Sequence, residues 1–203
     1  MNIKKVLASA VAAVSAFMLY TTVSAATTHK VVSGDSMWKI AVKYEVGLSE
    51  IINANPHISD PALIYPGQII TIPTLESGVR NYEKEVIRLV NQIRAERGLG
   101  TLTEDWELSR VARIKSQDMK DNNYFSHTSP VYGSPFQMMK SFGISYKSAA
   151  ENIARGQATP QAVVNAWMNS AGHRPNILNS SYNKIGVGNV ESGKYWTQMF
   201  IRK

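Results

Sequence analysis

The stretch that most constrains the fold is residues 29–73, where turn and helix signals follow one another in a fixed order. Residues 30–32 predict a short strand. The Ser33-Gly34-Asp35 turn after it offers Asp35 as the cap of a helix. In that helix, apolar residues recur at the spacing of one buried face: Met37, Ile40, Ala41 and Tyr44.

A second helix and a closing strand complete this stretch. Ser49 is expected to cap the second helix, and Pro56 ends it because proline cannot continue a helix. Pro66-Gly67 suits a type II turn, in which glycine takes the positive φ, and residues 68–72 form the last strand. The predicted order is strand, helix, helix, strand.

The motifs of this unit resemble those of a LysM domain, here assigned to residues 28–73. They are VVSGDSMWKIA, the Asn55-Pro56 pair and YPGQIITIP, in that order. The resemblance implies binding of N-acetylglucosamine glycans, which means peptidoglycan or a chitin-like chain. It also implies a groove between two loops, formed by Gly34, Asp35, Ser36, Met37, Leu63, Ile64 and Tyr65.

The N-terminal residues 1–25 have the pattern of a secretory signal: two lysines, an apolar run over 6–20, and small residues at 23–25. A membrane-spanning helix is the alternative. The apolar run is shorter than the roughly 20 residues needed to span a bilayer. We therefore expect cleavage, and a mature protein without a membrane span.

Charge and cysteine content narrow the function classes. The formal net charge is +7, and it falls to +5 once the two lysines of the signal, Lys4 and Lys5, are removed. The basic residues are scattered without a run or stripe, so no nucleic-acid partner is expected. A moderately basic charge suits an anionic bacterial wall, and ordinary solubility explains it equally well. Cysteine is absent, which excludes thiol catalysis and zinc–thiolate sites.

A second domain follows a short linker at 74–80. Helical periodicity runs through 86–93 and 108–119, and Thr159-Pro160 has the pattern of an N-cap and first helical residue. Period-two alternation appears only near the end, at 185–188 and 195–201. Helices early and strands late predict a layered α+β domain over 81–203.

Four motifs in this domain resemble the CAP family of cysteine-rich secretory and pathogenesis-related proteins, in its cysteine-free bacterial branch. They are FSHTSP, ENIA, GHRPNIL and YWTQMFI. The resemblance implies an α-β-α sandwich with a central cleft. In animal members two histidines and two glutamates meet there, in some cases around a divalent metal.

Only part of that animal pattern is present. The FSH and ENIA motifs supply His127 and Glu151, while the second Glu position holds Ser170 and the second His position holds Tyr195. His173 belongs to the bacterial pattern. The candidate cleft is therefore His127, Glu151, His173 and Tyr195. The first three could bind a divalent metal such as zinc, or could form a hydrogen-bonded network.

Local context adds further expectations about the histidines. His173 directly follows a predicted helix end, where the helix dipole favours imidazolium, and with His127 and Arg174 it would suit an acidic ligand. His29 and His57 are expected to be solvated. No GxSxG elbow surrounds any serine beside a histidine, which argues against serine hydrolysis.

Together these features predict an exported, cell-wall-associated bacterial protein. It binds peptidoglycan through the LysM module and carries a CAP domain that binds without turnover. The alternative is a metal-assisted hydrolase of wall peptide or glycan. A spore-envelope location is a third expectation, which similar two-module architectures imply.

Overall fold

A computed structural model describes residues 27–73 and 77–203. The expected signal at 1–25 lies outside the described residues, as does the centre of the linker at 74–76. In the part of the chain that is described, no helix has both the length and the apolar character needed to cross a membrane.

The N-terminal module has the predicted order of elements. These are β1 (Thr27–Lys30), α1 (Met37–Tyr44), α2 (Leu48–Ala54) and β2 (Ile69–Ile72). The two strands pair antiparallel, with Thr27 opposite Ile72. The first strand spans Thr27–Lys30 and not the expected 30–32, because residues 31 and 32 already lead into the turn at Gly34. A small apolar core closes the module: Val31, Met37, Ile40, Ala41, Ile51, Ile70 and Ile72.

The cap of α1 is Ser36, not Asp35 as expected, because the Ser36 hydroxyl accepts from a backbone N–H of the first turn. Asp35 instead lies 2.8 Å from His29 Nε2, and the other ring nitrogen of His29 lies 3.1 Å from the Tyr44 hydroxyl. The prediction of a solvated His29 was therefore wrong. Its buried imidazole links β1 to α1.

Helix α2 also begins differently from the prediction. Its N-cap position is Gly47, which makes no side-chain capping bond, and Ser49 lies inside the helix. The other end is held by the buried Asn55. Its amide donates to the carbonyls of Ile51 and Thr71, and its oxygen accepts from the Thr71 N–H, all at 2.8 Å. This one side chain ties the end of α2 to β2.

The C-terminal domain contains nine further elements, the first of which begins inside the expected linker. They are α3 (Ser77–Ala95), β3 (Thr103–Glu104), α4 (Trp106–Asp121), α5 (Pro135–Ser141), β4 (Ser148–Arg155), α6 (Pro160–Asn169), α7 (Arg174–Leu178), β5 (Lys184–Val190) and β6 (Tyr195–Arg202). The strand order is β3-β5-β6-β4. All neighbours are antiparallel except β3 and β5.

The sheet is covered on both faces, which confirms the predicted α-β-α sandwich. On β6, Trp196 and Phe200 pack with helices α3, α6 and α7, whereas Met199 and Ile201 pack with α4 and α5. This division follows from the period of two along a strand. On β5, the glycines face α4, and their missing side chains let that helix lie close to the sheet.

Two ion pairs connect the module to the sandwich. Arg110 of α4 donates two hydrogen bonds to the Glu50 carboxylate of α2, from Nε at 2.6 Å and from Nη2 at 2.8 Å. Arg80 of α3 contacts Glu45, the residue after α1. A Cβ on Gly47 would lie 2.2 Å from Arg110 Nε, so glycine at this position lets the guanidinium approach α2.

Candidate functional site

A histidine–carboxylate pair forms the centre of the site. His127 lies in the loop between α4 and α5, and Glu151 lies in β4. The His127 Nδ1 atom is 2.8 Å from Glu151 Oε1. The Glu151 side chain is almost fully buried, whereas that of His127 is 52% exposed. The buried carboxylate therefore orients an imidazole whose Nε2 faces away from the pair.

The second imidazole lies at the same cleft. This cleft has a volume of about 590 Å³ and is lined by both His127 and His173. Ser170 also lines it, together with Arg155 and Gln157. By the resemblance to animal CAP proteins, Ser170 stands where those proteins have their second glutamate. The structure thus brings together His127, Glu151 and His173 from three separated motifs. Arg174 is exposed and does not line the cleft.

Tyr195 is placed differently from the sequence expectation. Its side chain is buried against Met119 and Ile153 and does not line the cleft. The Arg155 guanidinium lies over the Tyr195 ring, 4.7 Å from its centre. Tyr195 therefore supports a residue of the cleft and does not belong to it.

The expected helix-dipole effect at His173 was wrong. Helix α6 ends at Asn169, and His173 is the residue immediately before α7. Burial lowers the pKa of His173 below its ordinary value, and the positive charge of His127 lowers it further. Asn152 fixes this segment, since its amide donates to the His173 carbonyl over 3.2 Å.

A buried lysine that the sequence reading missed lies behind the pair. The Lys115 amine donates to the His127 carbonyl over 2.7 Å and to the Tyr124 hydroxyl over 3.1 Å. Burial raises the pKa of Glu151, and the His127 hydrogen bond and the Lys115 charge oppose that rise. The signal was present, because Lys115 continues the apolar stripe of α4 that runs from Leu108 to Met119.

Asp118, one turn further along α4, anchors the loop that carries His127. Its carboxylate accepts from the Tyr124 hydroxyl, from Ser129 Oγ at 2.7 Å and from the Asn122 amide at 2.7 Å. Burial and this bond raise the pKa of Tyr124 well above its ordinary value. Three side chains of the loop are thus tied to one rigid helix, and the position of His127 follows from that.

The side chains do not form a metal-ligand set as they stand. Within 27–73 and 77–203, no group of three or more His, Cys, Asp or Glu side chains is placed to hold a metal ion. His127 turns Nδ1 to Glu151, so this pair is a hydrogen bond and not two ligands converging on one point. For Glu151 the geometry favours the network, because its carboxylate holds the His127 imidazole and is not free to act as a ligand.

The expected glycan-binding residues of the LysM module differ in exposure, and Asp35 and Ser36 are half-buried. Gly34, Leu63 and Tyr65 are exposed, and the last two border a cleft of about 440 Å³ that extends along residues 57–60. Met37 lies in the core, and Ile64 packs against it. A glycan could touch Met37 only through its backbone.

Proximity of the two imidazoles has a measurable consequence. Replacing His127 with glutamine should raise the pKa of His173, because it removes a neighbouring positive charge while leaving the burial that lowers this pKa. Titration of the His173 ring protons by NMR measures the change. His57→Gln, in the LysM module, is the matched control and should leave the value unaltered. An unchanged His173 pKa in His127→Gln would show that the imidazoles do not share a cleft.

Comparison with known proteins agrees with this two-domain arrangement. Residues 87–200 match the model of the cysteine-rich secretory protein family, and residues 29–73 match that of the LysM domain. The protein YkwD of Bacillus subtilis (strain 168) is 62% identical over 133 residues, which cover 66% of this chain and 52% of YkwD. SpoIVD-associated factor A of the same organism is 45% identical over 56 residues, 28% of this chain and 14% of that protein.

Among solved structures, an extracellular protein containing an SCP domain, from Bacillus anthracis str. Ames, is similar. Its TM-score is 0.60 at 36% sequence identity, over 68% of this chain and 47% of that one. The chain thus spans about half the length of YkwD and of the B. anthracis protein.

Proposed function

This chain belongs to the cysteine-rich secretory protein family and carries a LysM module before its CAP domain, and we propose that it is an exported protein held on the bacterial cell wall. The LysM module binds peptidoglycan, and the CAP cleft binds a wall component without turnover. The main support is the match of residues 29–73 to the LysM domain model, together with the exposed side chains of Leu63 and Tyr65 beside a cleft.

Binding without turnover is supported by the chemistry around His127. Its Nδ1 is committed to Glu151, and in the described part of the chain no serine or threonine hydroxyl is hydrogen-bonded to its ring. Ser126 next to it accepts from the Thr128 N–H instead. A nucleophile activated by an adjacent base requires such a contact.

The environment of Glu151 supports catalytic turnover as the second candidate function. Its Oε2 atom is buried and has no hydrogen-bond partner, and burial raises its pKa. A carboxyl with a raised pKa beside an imidazole is a common form of general acid. Metal-assisted hydrolysis of wall peptide or glycan would use this group, and the side-chain arrangement described above is the argument against it.

The proposed location is the wall, with the spore envelope as a specialised case. The moderately basic composition suits an anionic matrix. The similarity to SpoIVD-associated factor A over 56 residues supports the spore case, although it covers only 28% of this chain.

Wall binding should depend on the exposed apolar loop of the LysM module. The double variant Leu63→Ala, Tyr65→Ala should weaken co-sedimentation of the full chain with insoluble peptidoglycan by about tenfold or more in Kd, since two apolar contacts are lost. A matched control is Val131→Ala, Phe136→Ala. These side chains of the CAP domain are exposed to a similar extent, 60% and 45% against 53% and 56%.

The control pair should sediment like the unmodified protein. If both double variants lose binding equally, wall attachment is a general apolar effect. If neither loses it, the LysM loop is not the anchor. Either result would contradict the proposal.

A further inference from the structure

The lining of the CAP cleft contains one guanidinium, two imidazoles and no acidic side chain. Arg155, His127 and His173 line it. The carboxylate of Glu151 is buried behind His127 and has the Lys115 ammonium close to it. A cleft of this composition attracts an anion.

We propose that this cleft binds the free carboxylate end of a short peptide, a chemistry that wall peptides supply. The proposal rests on the proposed function, in which the LysM module holds the chain on peptidoglycan and so brings such ends near the cleft. It identifies the ligand class of the CAP domain, which the family match does not.

Arg155 is the group best placed to pair with the carboxylate. It is the last residue of β4, and its guanidinium is held over the ring of Tyr195 at 4.7 Å. The ion pairs among the described residues do not include Arg155. A guanidinium presents a planar fork of donors that matches a carboxylate, and stacking on an aromatic ring keeps that fork ordered.

A second observation points to the peptide part of the ligand. The Gln157 side chain lines the cleft, and its Oε1 atom is buried without a hydrogen-bond partner. Buried polar atoms in folded proteins are nearly always satisfied. A peptide N–H next to the carboxylate would supply the missing donor, whereas a simple anion without a donor, such as sulfate, would not.

The apolar side of the cleft fits small aliphatic side chains. Ile153, Ala154, Ala166 and Trp167 form it, and Phe125 at its edge is substantially exposed. The volume of about 590 Å³ lies within the roughly 300–1,000 Å³ of sites that bind small ligands. Alanine methyl groups would fill this side without displacing the core.

The test uses the full chain with N-acetyl-trialanine as the probe, and its C-terminal amide as the uncharged match. NMR titration of the His127, His173 and Trp167 resonances gives both Kd values. The free acid should bind at least about tenfold more tightly than the amide, since only the acid pairs with the guanidinium. Arg155→Gln should reduce the ratio to about two or less. The control Arg174→Gln, which alters an exposed neighbouring arginine outside the cleft, should leave it unchanged.

Three results would overturn the proposal. Acid and amide could bind equally, or neither could bind. Alternatively, inorganic phosphate could shift the same resonances as strongly as the acid does, which would assign the cleft to phosphate-bearing ligands. Wall sedimentation of the same protein separates the two levels: loss of peptide binding with intact sedimentation refutes only this inference, while loss of sedimentation alone refutes only the LysM anchor.

Discussion

Replacing Gly188 with alanine should lower the free energy of unfolding of the CAP domain by about 3 kcal/mol or more. The added Cβ would lie 2.1 Å from the Arg113 nitrogen and 2.2 Å from the Ala112 carbonyl carbon. Both are backbone atoms of α4, so no rotamer change relieves the clash, and the helix must move off the sheet. Overpacking that a core cannot absorb costs about 1–3 kcal/mol or somewhat more. Urea unfolding followed by circular dichroism measures the loss.

The matched control for this substitution is Gly100→Ala. A Cβ at Gly100 would have no neighbour within 4 Å, and this position does not have a positive φ. Its effect should stay within about 0.5 kcal/mol of zero, as for surface substitutions in general. If Gly188→Ala were as mild as the control, the close contact between α4 and β5 would not be required for the fold.

Replacing Lys115 with methionine should cost about 3–5 kcal/mol of unfolding free energy, the range for removing one partner of a buried charge pair. The side chain is fully buried, and its charge acts on both Glu151 and Asp118. Methionine keeps the aliphatic volume but leaves the His127 carbonyl and the Tyr124 hydroxyl without this donor. Thermal or denaturant unfolding at neutral pH measures the effect.

Lys120→Met is the control, because Lys120 lies on the exposed side of the same helix. The deficit of Lys115→Met should also shrink at lower pH. Burial raises the pKa of Glu151 in the folded protein, so the folded state is favoured once this carboxyl is protonated and loses that advantage as the pH rises. A deficit equal to that of Lys120→Met, at every pH, would show that Lys115 does not balance the buried carboxylates.

Features that depend on local periodicity were predictable from the sequence. The apolar stripe of α4, the cap and first residue of α6, and the alternation on β5 all match the structure. Each is set by side chains a few residues apart, so a linear reading contains the required information. The α-β-α arrangement came from the family resemblance, and the structure confirms it.

Features that depend on competition between neighbours were not predictable. Ser36 and Asp35 are both good capping residues, and the choice of Ser36 follows from the buried His29, which binds Asp35. Similarly, only the four residues 170–173 separate the end of α6 from the start of α7, so His173 lies at a helix start and not at a helix end. Tertiary contacts decide both cases.

Only some residues of the candidate site could be identified from the sequence. The motifs identified His127, Glu151 and His173, because each is a polar residue in a distinctive segment. Lys115 was overlooked because a single lysine on a helix is usually solvated. Arg155 was overlooked because it follows the ENIA motif without belonging to it. Only the packing of β4 beside β6 places it at the cleft.

Release of soluble fragments from purified peptidoglycan distinguishes a protein that binds the wall from one that digests it. The full chain is incubated with insoluble peptidoglycan, with and without EDTA, alongside Glu151→Gln. Sedimented protein and soluble muropeptides are measured in the same tubes. If the protein binds without turnover, we expect sedimentation in every tube and no muropeptides above the protein-free blank. Muropeptides released by the unmodified protein would contradict this expectation, and their loss both with EDTA and in Glu151→Gln would indicate a metal-assisted hydrolase.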